Sequence, residues 1–453
     1  MIVMKFGGTS VEDGSAIERS CRIVIEKAAR QPFVVVSALG GATNELLAAG
    51  RLAANRELDK ALAIASRLEK RHVDLLPSTT EFFHSLRELL RALASIGEFS
   101  PRTQDLVAAY GETLSSLIFA DRLKQLGQDV QHIDARQVIV TDANYSKAAP
   151  LFQLTRERLQ AVAEPAIRNG RIVVMGGYIG ATEAGVTTTL GRGGSDYSAA
   201  IVGALMNAEE IQIWTDVDGM MTADPRVVSD SYKVTEISFA EASELAYFGA
   251  KVLHPLTVVP AIEKNIPVYI LNSRKPAGSG TRITREPRVT ANLIKSIAVK
   301  HGITVVTVSS SRMLMAHGFL KALFEVFDRH RTAVDVVATS EVSVSLTLDS
   351  TWALPAIIED LRPFGEVTVM DNLALICIVG NNLKYTPGVA HRAFGSVKDI
   401  NVLMISHGAS NINLSFIVSE TDANAAVQKL HADFFREFDR NVFEPSESDA
   451  ANR

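Results

Sequence analysis

From Ile2 to about Asn272 the chain alternates short, continuous apolar runs with stretches of helical periodicity; past residue 289 the order of elements changes and then repeats. The clearest strands of the first part are expected at 2–6, 33–37, 172–175, 211–215 and 267–272. Several are unbroken Val/Ile runs, the pattern of strands covered on both faces. Such alternation predicts a mostly parallel sheet sandwiched by helices, an α/β fold. The stretch from about 43 to 127 is almost wholly helical and reads as an inserted helical layer. Ser238 and Glu241 form a capping-box pattern ahead of a helix that Gly249 would end, and Pro255 suits the first turn of the next.

A polar segment, 275–289, carries Pro276, Gly278, Gly280 and Pro287 and reads as a linker. After it come a strand at 303–309, a helix at 319–330, a hairpin-like pair at 334–339 and 342–349, a helix at 354–361 and a strand at 367–370. The same order restarts at 373–380, with helices near 388–397 and 423–435 and strands at 401–406 and 411–418. A repeat of about 70 residues is too long for a solenoid and fits two ferredoxin-like βαββαβ domains. The second copy lacks a closing strand because 437–453 is largely polar; 296–300 is expected to fill that place, interlocking the copies. The expected domains are therefore 1–285, 296–371 and 372–440.

Composition excludes several classes. Hydrophobic residues make up 47% and charged residues 21% of the 453, the balance of a soluble globular protein. The net charge of −5 has no acidic or basic block behind it, so nothing favours nucleic acid or an anionic membrane. Cys21 and Cys377 sit in no metal-ligand spacing, which argues for a reducing compartment and against zinc or a disulfide scaffold. No signal-peptide pattern and no run of about 18 apolar residues occurs, so a cytoplasmic location is expected.

Neither a Walker loop nor a G-x-G-x-x-G is present, so any nucleotide site must be built another way. Lys5-Phe6-Gly7-Gly8-Thr9-Ser10 follows the first strand directly. Its glycines let backbone N–H groups approach an anion, and Lys5 adds a cation, although an ordinary glycine turn would look the same. The turn from Ser37 through Gly40 and Gly41 to Thr43 repeats this logic after the second strand, at the carboxyl edge where ligands bind. A third segment, Thr187 to Asp196, opens a helix with glycines. There Arg192 offers a bidentate clamp, and Asp196 either complements the helix dipole or orients reacting groups. Asp216 and Arg226, in a turn-rich loop, suit ribose and phosphate as well as plain capping. Leu106, Tyr110, Leu114 and Leu117 form an apolar stripe on a helix, so Glu112 opposite them faces solvent or a cleft.

Together these motifs resemble the aspartokinase family, over essentially the whole chain. Lys5–Ser10 is similar to its N-terminal signature; segments 190–196, 215–226 and 249–255 (Gly-Ala-Lys-Val-Leu-His-Pro) match its further motifs in order and spacing. The regulatory half is most similar to monofunctional lysine-sensitive members with paired ACT domains, with no room after the second repeat for a fused homoserine dehydrogenase. The resemblance implies transfer of a phosphoryl group from ATP, with Mg²⁺, to the side chain of L-aspartate. Lys5 would neutralise the γ-phosphoryl group, with Gly8 and Ser37 in the phosphate cradle. Thr43, Glu112, Arg192 and Ser195 would hold aspartate, and Asp196 would orient the reacting groups. Thr215 and Asp216 would contact the nucleoside, Arg226 and Lys251 the phosphates, and Met221 stands where relatives often carry tyrosine.

An effector pocket is implied around Met313, Phe319, Val334, Asp335, Thr339, Ser340 and Glu341, with lysine the expected effector and threonine the alternative. Ala316 and Ala333 replace serines of lysine-sensitive relatives. The apolar members of this set equally suit a packing core. A homodimer or larger homo-oligomer is implied by the family alone. Two rival readings are a kinase acting on glutamate or acetylglutamate, which should lack the paired repeats, and a non-catalytic amino-acid sensor, which has no use for Lys5.

Overall fold

The structure is a computed structural model that describes residues 1–249, 255–288, 290, 292–314 and 317–445. The chain forms two compact units. The first comprises Met1–Met220, Thr235–Phe239 and Val252–Pro287; the second comprises Met221–Val234, Ala240–Lys251 and Arg288–Arg453.

An eight-stranded sheet organises the first unit. Its spatial order is Glu236–Ser238, Thr281–Thr284, Val268–Asn272, Ile211–Thr215, Ile2–Phe6, Pro32–Val36, Ile172–Gly176 and Val130–Ile133. Every neighbouring pair is parallel except Val268–Asn272 with Thr281–Thr284. The three strands Ile2–Phe6, Pro32–Val36 and Ile172–Gly176 are buried at every position, which is why their sequences run apolar without alternation. Between them, Phe6 stacks on Trp214 at 6.1 Å and meets Phe119 at 5.5 Å. Truncating an aromatic so enclosed costs about 3–5 kcal/mol. The expected helical layer is made of Ala42–Ala54, Leu58–Val73, Thr80–Ile96 and Pro101–Gln125. The last begins at a Ser100 cap that accepts from the Thr103 N–H, with Pro101 in the first turn.

Two readings need correcting here. The segment 275–289 is not only a linker, because it contains the strand Thr281–Thr284. Thr281 and Ile283 are buried, and four residues flanked by glycine and proline carry too little periodicity to announce a strand. The second correction concerns Pro101–Gln125. Leu106 is 37% exposed while Glu112 is buried, so the stripe through Leu106 is not the core face. Fourteen of this helix's 25 residues are buried, on all sides, and a helix enclosed all round has no single apolar stripe to read.

The second unit holds a six-stranded antiparallel sheet in the order Val337–Thr339, Ser343–Leu348, Ser296–Ser309, Glu366–Val379, Asn413–Ser419 and Met404–His407. Ser296–Ser309 is one long strand whose start pairs with the first strand of the second repeat, Ser296 with Val379 through Lys300 with Leu375. Its remainder pairs down to Ser309 with Glu366, so each long strand serves both repeats. Register shifts fall between Lys300 and Val305, opposite Asn372 at φ +55°. The first repeat has its own core around Val306, Leu323, Phe327, Leu346 and Ile357. A strand also occurs where the composition is largely polar: Phe443–Pro445 pairs antiparallel with Tyr232–Val234. Phe443 is fully buried there. No helix among the described residues is long and apolar enough to cross a membrane.

Candidate active site

In the first unit the strands Ile2–Phe6, Pro32–Val36, Ile172–Gly176 and Ile211–Thr215 run parallel, so their carboxyl ends share one edge. Lys5 stands one residue from the end of the first strand, level with Val35 and Ile213. Its ammonium lies 2.6 Å from Oδ1 of Asp196, and both side chains are almost covered, at 10% and 13% exposure. Asp196 sits in the first turn of the helix Gly194–Leu205, which starts from Gly193 at φ +70°. A side chain at that position of the turn would be strained, so glycine is needed for the chain to enter the helix here. Asp196 therefore lies at a helix N-terminus and is ion-paired with Lys5.

The two turns expected to cradle phosphate pack backbone against backbone: a Cβ on Gly8 would lie 3.2 Å from the Ala38 carbonyl oxygen. Ser37 donates its N–H to the Phe6 carbonyl, and its own carbonyl accepts from the Ser115 hydroxyl. A cleft of about 510 Å³ opens beside them. Lys5, Gly8, Ser37, Thr43, Glu112, Arg192, Ser195 and Asp196 all line it, so eight residues singled out from four separate stretches converge. Arg192 is exposed, within reach of an entering anion. Gly177 lets Ser195 come close, since a Cβ there would stand 2.8 Å from both Cα and Cβ of Ser195.

Glu112 is the most perturbed acid of the cleft. It is only 4% exposed, and its Oε2 has no hydrogen-bond partner within the chain. Burial pushes its carboxyl up to about 8, against the pull of the Ala38 and Glu112 backbone N–H groups. A buried carboxyl with an unmet oxygen, facing a cleft, is suited to a cationic ligand group.

The sequence reading missed Tyr178, Ser146 and Asp105. Tyr178 lines the cleft at φ +64°, its N–H held by the Ser198 hydroxyl at 3.0 Å. Asp105 is buried and accepts from the Ser146 N–H at 2.9 Å, the Thr189 N–H at 3.0 Å and the Thr189 hydroxyl at 2.6 Å. It thereby ties the Ser146 loop and the strand leading to Arg192 onto the helix that carries Glu112. The Gly176-Gly177 pair was the one local sign that the backbone is unusual at Tyr178.

Thr215 and Asp216 stand at the end of the strand next to that of Lys5, outside the lining of the cleft, with the Thr215 hydroxyl 3.2 Å from Asp216 Oδ1. Ser273 supports this turn by donating to the Thr215 carbonyl, and its hydroxyl meets that of Ser10 at 2.7 Å. Asp218 is anchored by Asn272 and Lys275. Met221 and Arg226 belong to the second unit. There Arg226 is exposed and forms a bidentate pair with Asp224, which holds the Asp224 carboxyl below its usual range. Lys251 lies outside the described residues.

Of the effector residues, Met313, Phe319 and Val334 pack against the core of the first repeat. Thr339 ends the strand Val337–Thr339. The Ser340 hydroxyl is taken up in its own turn, 2.7 Å from that of Ser343, and Glu341 is exposed. Asp335 is held by Lys300 at 2.7 Å and by the Tyr247 hydroxyl at 2.5 Å. Ala333 is exposed; Ala316 lies outside the described residues.

Comparison with known proteins gives this geometry a family. Residues 1–272 match the model of the amino acid kinase family, and residues 376–434 match an ACT domain. Lysine-sensitive aspartokinase 3 of Escherichia coli K12 is 37% identical over 96% of this chain and 99% of its own length. Chloroplastic aspartokinase 1 of Arabidopsis thaliana is 36% identical over 96% of this chain and 80% of its own. Among solved structures, that of E. coli aspartokinase III in complex with aspartate and ADP matches at a TM-score of 0.81 with 38% identity, covering 96% of this chain and all of the other. With a kinase-family match over its first 272 residues and full-length relatives of this kind, the chain belongs to the aspartokinase family.

Proposed function

We propose that this chain transfers the γ-phosphoryl group of ATP to the side-chain carboxylate of L-aspartate, yielding 4-phospho-L-aspartate and ADP. The observation that carries the reading is the cleft that holds the Lys5–Asp196 pair beside the buried, half-satisfied carboxyl of Glu112. A carboxylate of pKa near 3.9 is already ionised at neutral pH, so the reaction needs no general base. Its difficulty is to bring one anion onto another, and fixed cations and N–H donors meet that need. In the proposed arrangement Lys5 faces the transferring phosphoryl group, with Gly8 and Ser37 beside it. Asp196 keeps the lysine in position. Arg192 holds a carboxylate of the substrate, Glu112 its ammonium, and Thr43 and Ser195 its remaining polar atoms. An aspartate carboxylate oxygen bonds to the γ-phosphorus as the bond to the β–γ bridging oxygen breaks, and ADP leaves with that electron pair.

Thr215, Asp216, Met221, Arg226 and Lys251 remain the proposed nucleotide contacts. No cluster of three or more His, Cys, Asp or Glu side chains suited to a metal occurs among the described residues. Mg²⁺ is proposed to arrive on the nucleotide phosphates. When bound, it would supply charge neutralisation to those phosphates. The proposed domains are a kinase domain at 1–285 and regulatory domains at 296–371 and 372–440. The proposed setting is a cytoplasmic homodimer at the entry to lysine, threonine and methionine synthesis. Feedback by an end-product amino acid, lysine first, would act through the second unit. Relatives include an E. coli aspartokinase III solved with lysine and aspartate in its T-state. Trapping the product with hydroxylamine tests the reading: aspartyl hydroxamate should form with Mg-ATP and L-aspartate, and its absence in folded protein sinks it.

A further inference from the structure

Lys300, on the long strand Ser296–Ser309, sits between two carboxylates. Its Nζ is 2.7 Å from Oδ2 of Asp335, whose side chain is 3% exposed, and 3.0 Å from Oδ2 of Asp349, whose side chain is 45% exposed. Burial works against the charge on Lys300, yet the two carboxylates together hold its pKa above the ordinary value. On the other oxygen of Asp335 the Tyr247 hydroxyl donates at 2.5 Å, and the Lys300 ammonium lies 5.0 Å over the centre of the Tyr247 ring. Asp335 is thus fully engaged by its own chain. A free carboxylate buried here would attract an ammonium strongly; a paired one exchanges partners.

We propose that Lys300 is a built-in stand-in for the ammonium of an amino-acid effector: the effector takes its place on Asp335 while Lys300 stays on Asp349. This deepens the regulatory part of the proposed function and rests on it. Exchanging one ammonium for another at Asp335 leaves the buried charge balance unchanged, and the exposed Asp349 gives the displaced lysine a partner in water. The strength of the internal pair therefore sets how much effector is needed. The Tyr247 hydroxyl, on the helix Phe239–Tyr247, touches the same carboxylate and so senses which ammonium occupies it.

Two substitutions of opposite sign test this, using L-lysine as the probe and the full chain. Lys300→Met removes the competitor, and calorimetric titration should show L-lysine binding at least about tenfold tighter than in the parent, the scale of one charged hydrogen bond. Asp349→Asn takes away the alternative partner, keeps Lys300 on Asp335 and should weaken binding several-fold. This exposed position gives an answer even if Lys300→Met does not fold. Binding to Lys300→Met no tighter than to the parent, or tighter binding by Asp349→Asn, overturns the proposal. So does failure of parent and Lys300→Met alike to bind L-lysine, L-threonine or L-methionine. Aspartate-dependent ADP release without effector, measured on the same samples, tells this failure from failure of the kinase reading.

Discussion

Lys5 and Asp196 meet at 2.6 Å, although one lies next to the end of the first strand and the other in the first turn of a helix, 191 positions later. The pair is nearly covered, so each charge depends on the other for its place. A lysine held this way is pre-positioned for a phosphoryl group and loses little freedom when one arrives. Lys5→Met should lower kcat by roughly two to three orders of magnitude, the range for removing a group that stabilises transition-state charge. The KM for aspartate should move far less. Steady-state kinetics over both substrates checks this, and a near-parental kcat would remove Lys5 from its role.

Glu112 gives the pH prediction. Its carboxyl is pushed up to about 8 by burial in the folded chain, so it is mainly protonated at neutral pH. An ammonium partner requires the ionised form. Aspartate should therefore bind more tightly as pH rises through about 8, and binding below that value should release a proton. Titrations in buffers of different ionisation enthalpy measure this, and Glu112→Gln should abolish the pH dependence.

The same shift acts on stability. The folded-state pKa of Glu112 is raised above the unfolded value, so the unfolded chain binds fewer protons between about 4.5 and about 8. Stability contributed by this group is present at low pH and is lost as pH rises across that window. Glu112→Gln should then be more stable than the parent at pH 8, by on the order of a few kcal/mol, and close to it at acid pH. Urea denaturation at the two pH values reads the difference.

Asp105 makes no contact the proposed chemistry needs, yet it binds the Ser146 N–H and both Thr189 donors. Asp105→Ala leaves these buried donors without their acceptor and should cost about 3 kcal/mol or more in denaturant titration. Because Ser146 and the Thr189–Arg192 segment border the cleft, KM for aspartate should rise as well.

Gly177→Ala tests the close approach around Ser195. The new Cβ would meet Ser195 at 2.8 Å and Cγ1 of the fully buried Val35 at 2.9 Å. Something must shift, at about 1–3 kcal/mol. The displaced Ser195 should raise KM for aspartate more than KM for ATP.

What was legible in the sequence followed how local each signal is. Continuous Val/Ile strands ending in Gly-Gly turns carry their structure within a few residues, and Lys5, Gly8, Ser37, Thr43, Arg192, Ser195 and Asp196 do line one cleft. The paired repeats were legible too, including 296–300 against the second repeat, because a missing strand in one unit must be supplied by another. Glu112 was found, but its helix was misjudged: enclosure on all sides erases the stripe that periodicity reads. Asp105 and Tyr178 were missed because their roles depend on partners such as Thr189, 84 positions from Asp105. Asp335 was read as part of an effector pocket; nothing near it in sequence announces its partners Lys300 and Tyr247.

The central claim is tested most directly by ADP release from the purified full chain with Mg-ATP and L-aspartate, with L-glutamate, or with no acceptor. The account predicts release that requires L-aspartate and is at background with the other two. Release with glutamate equal to that with aspartate, or none with aspartate from folded protein, would contradict it.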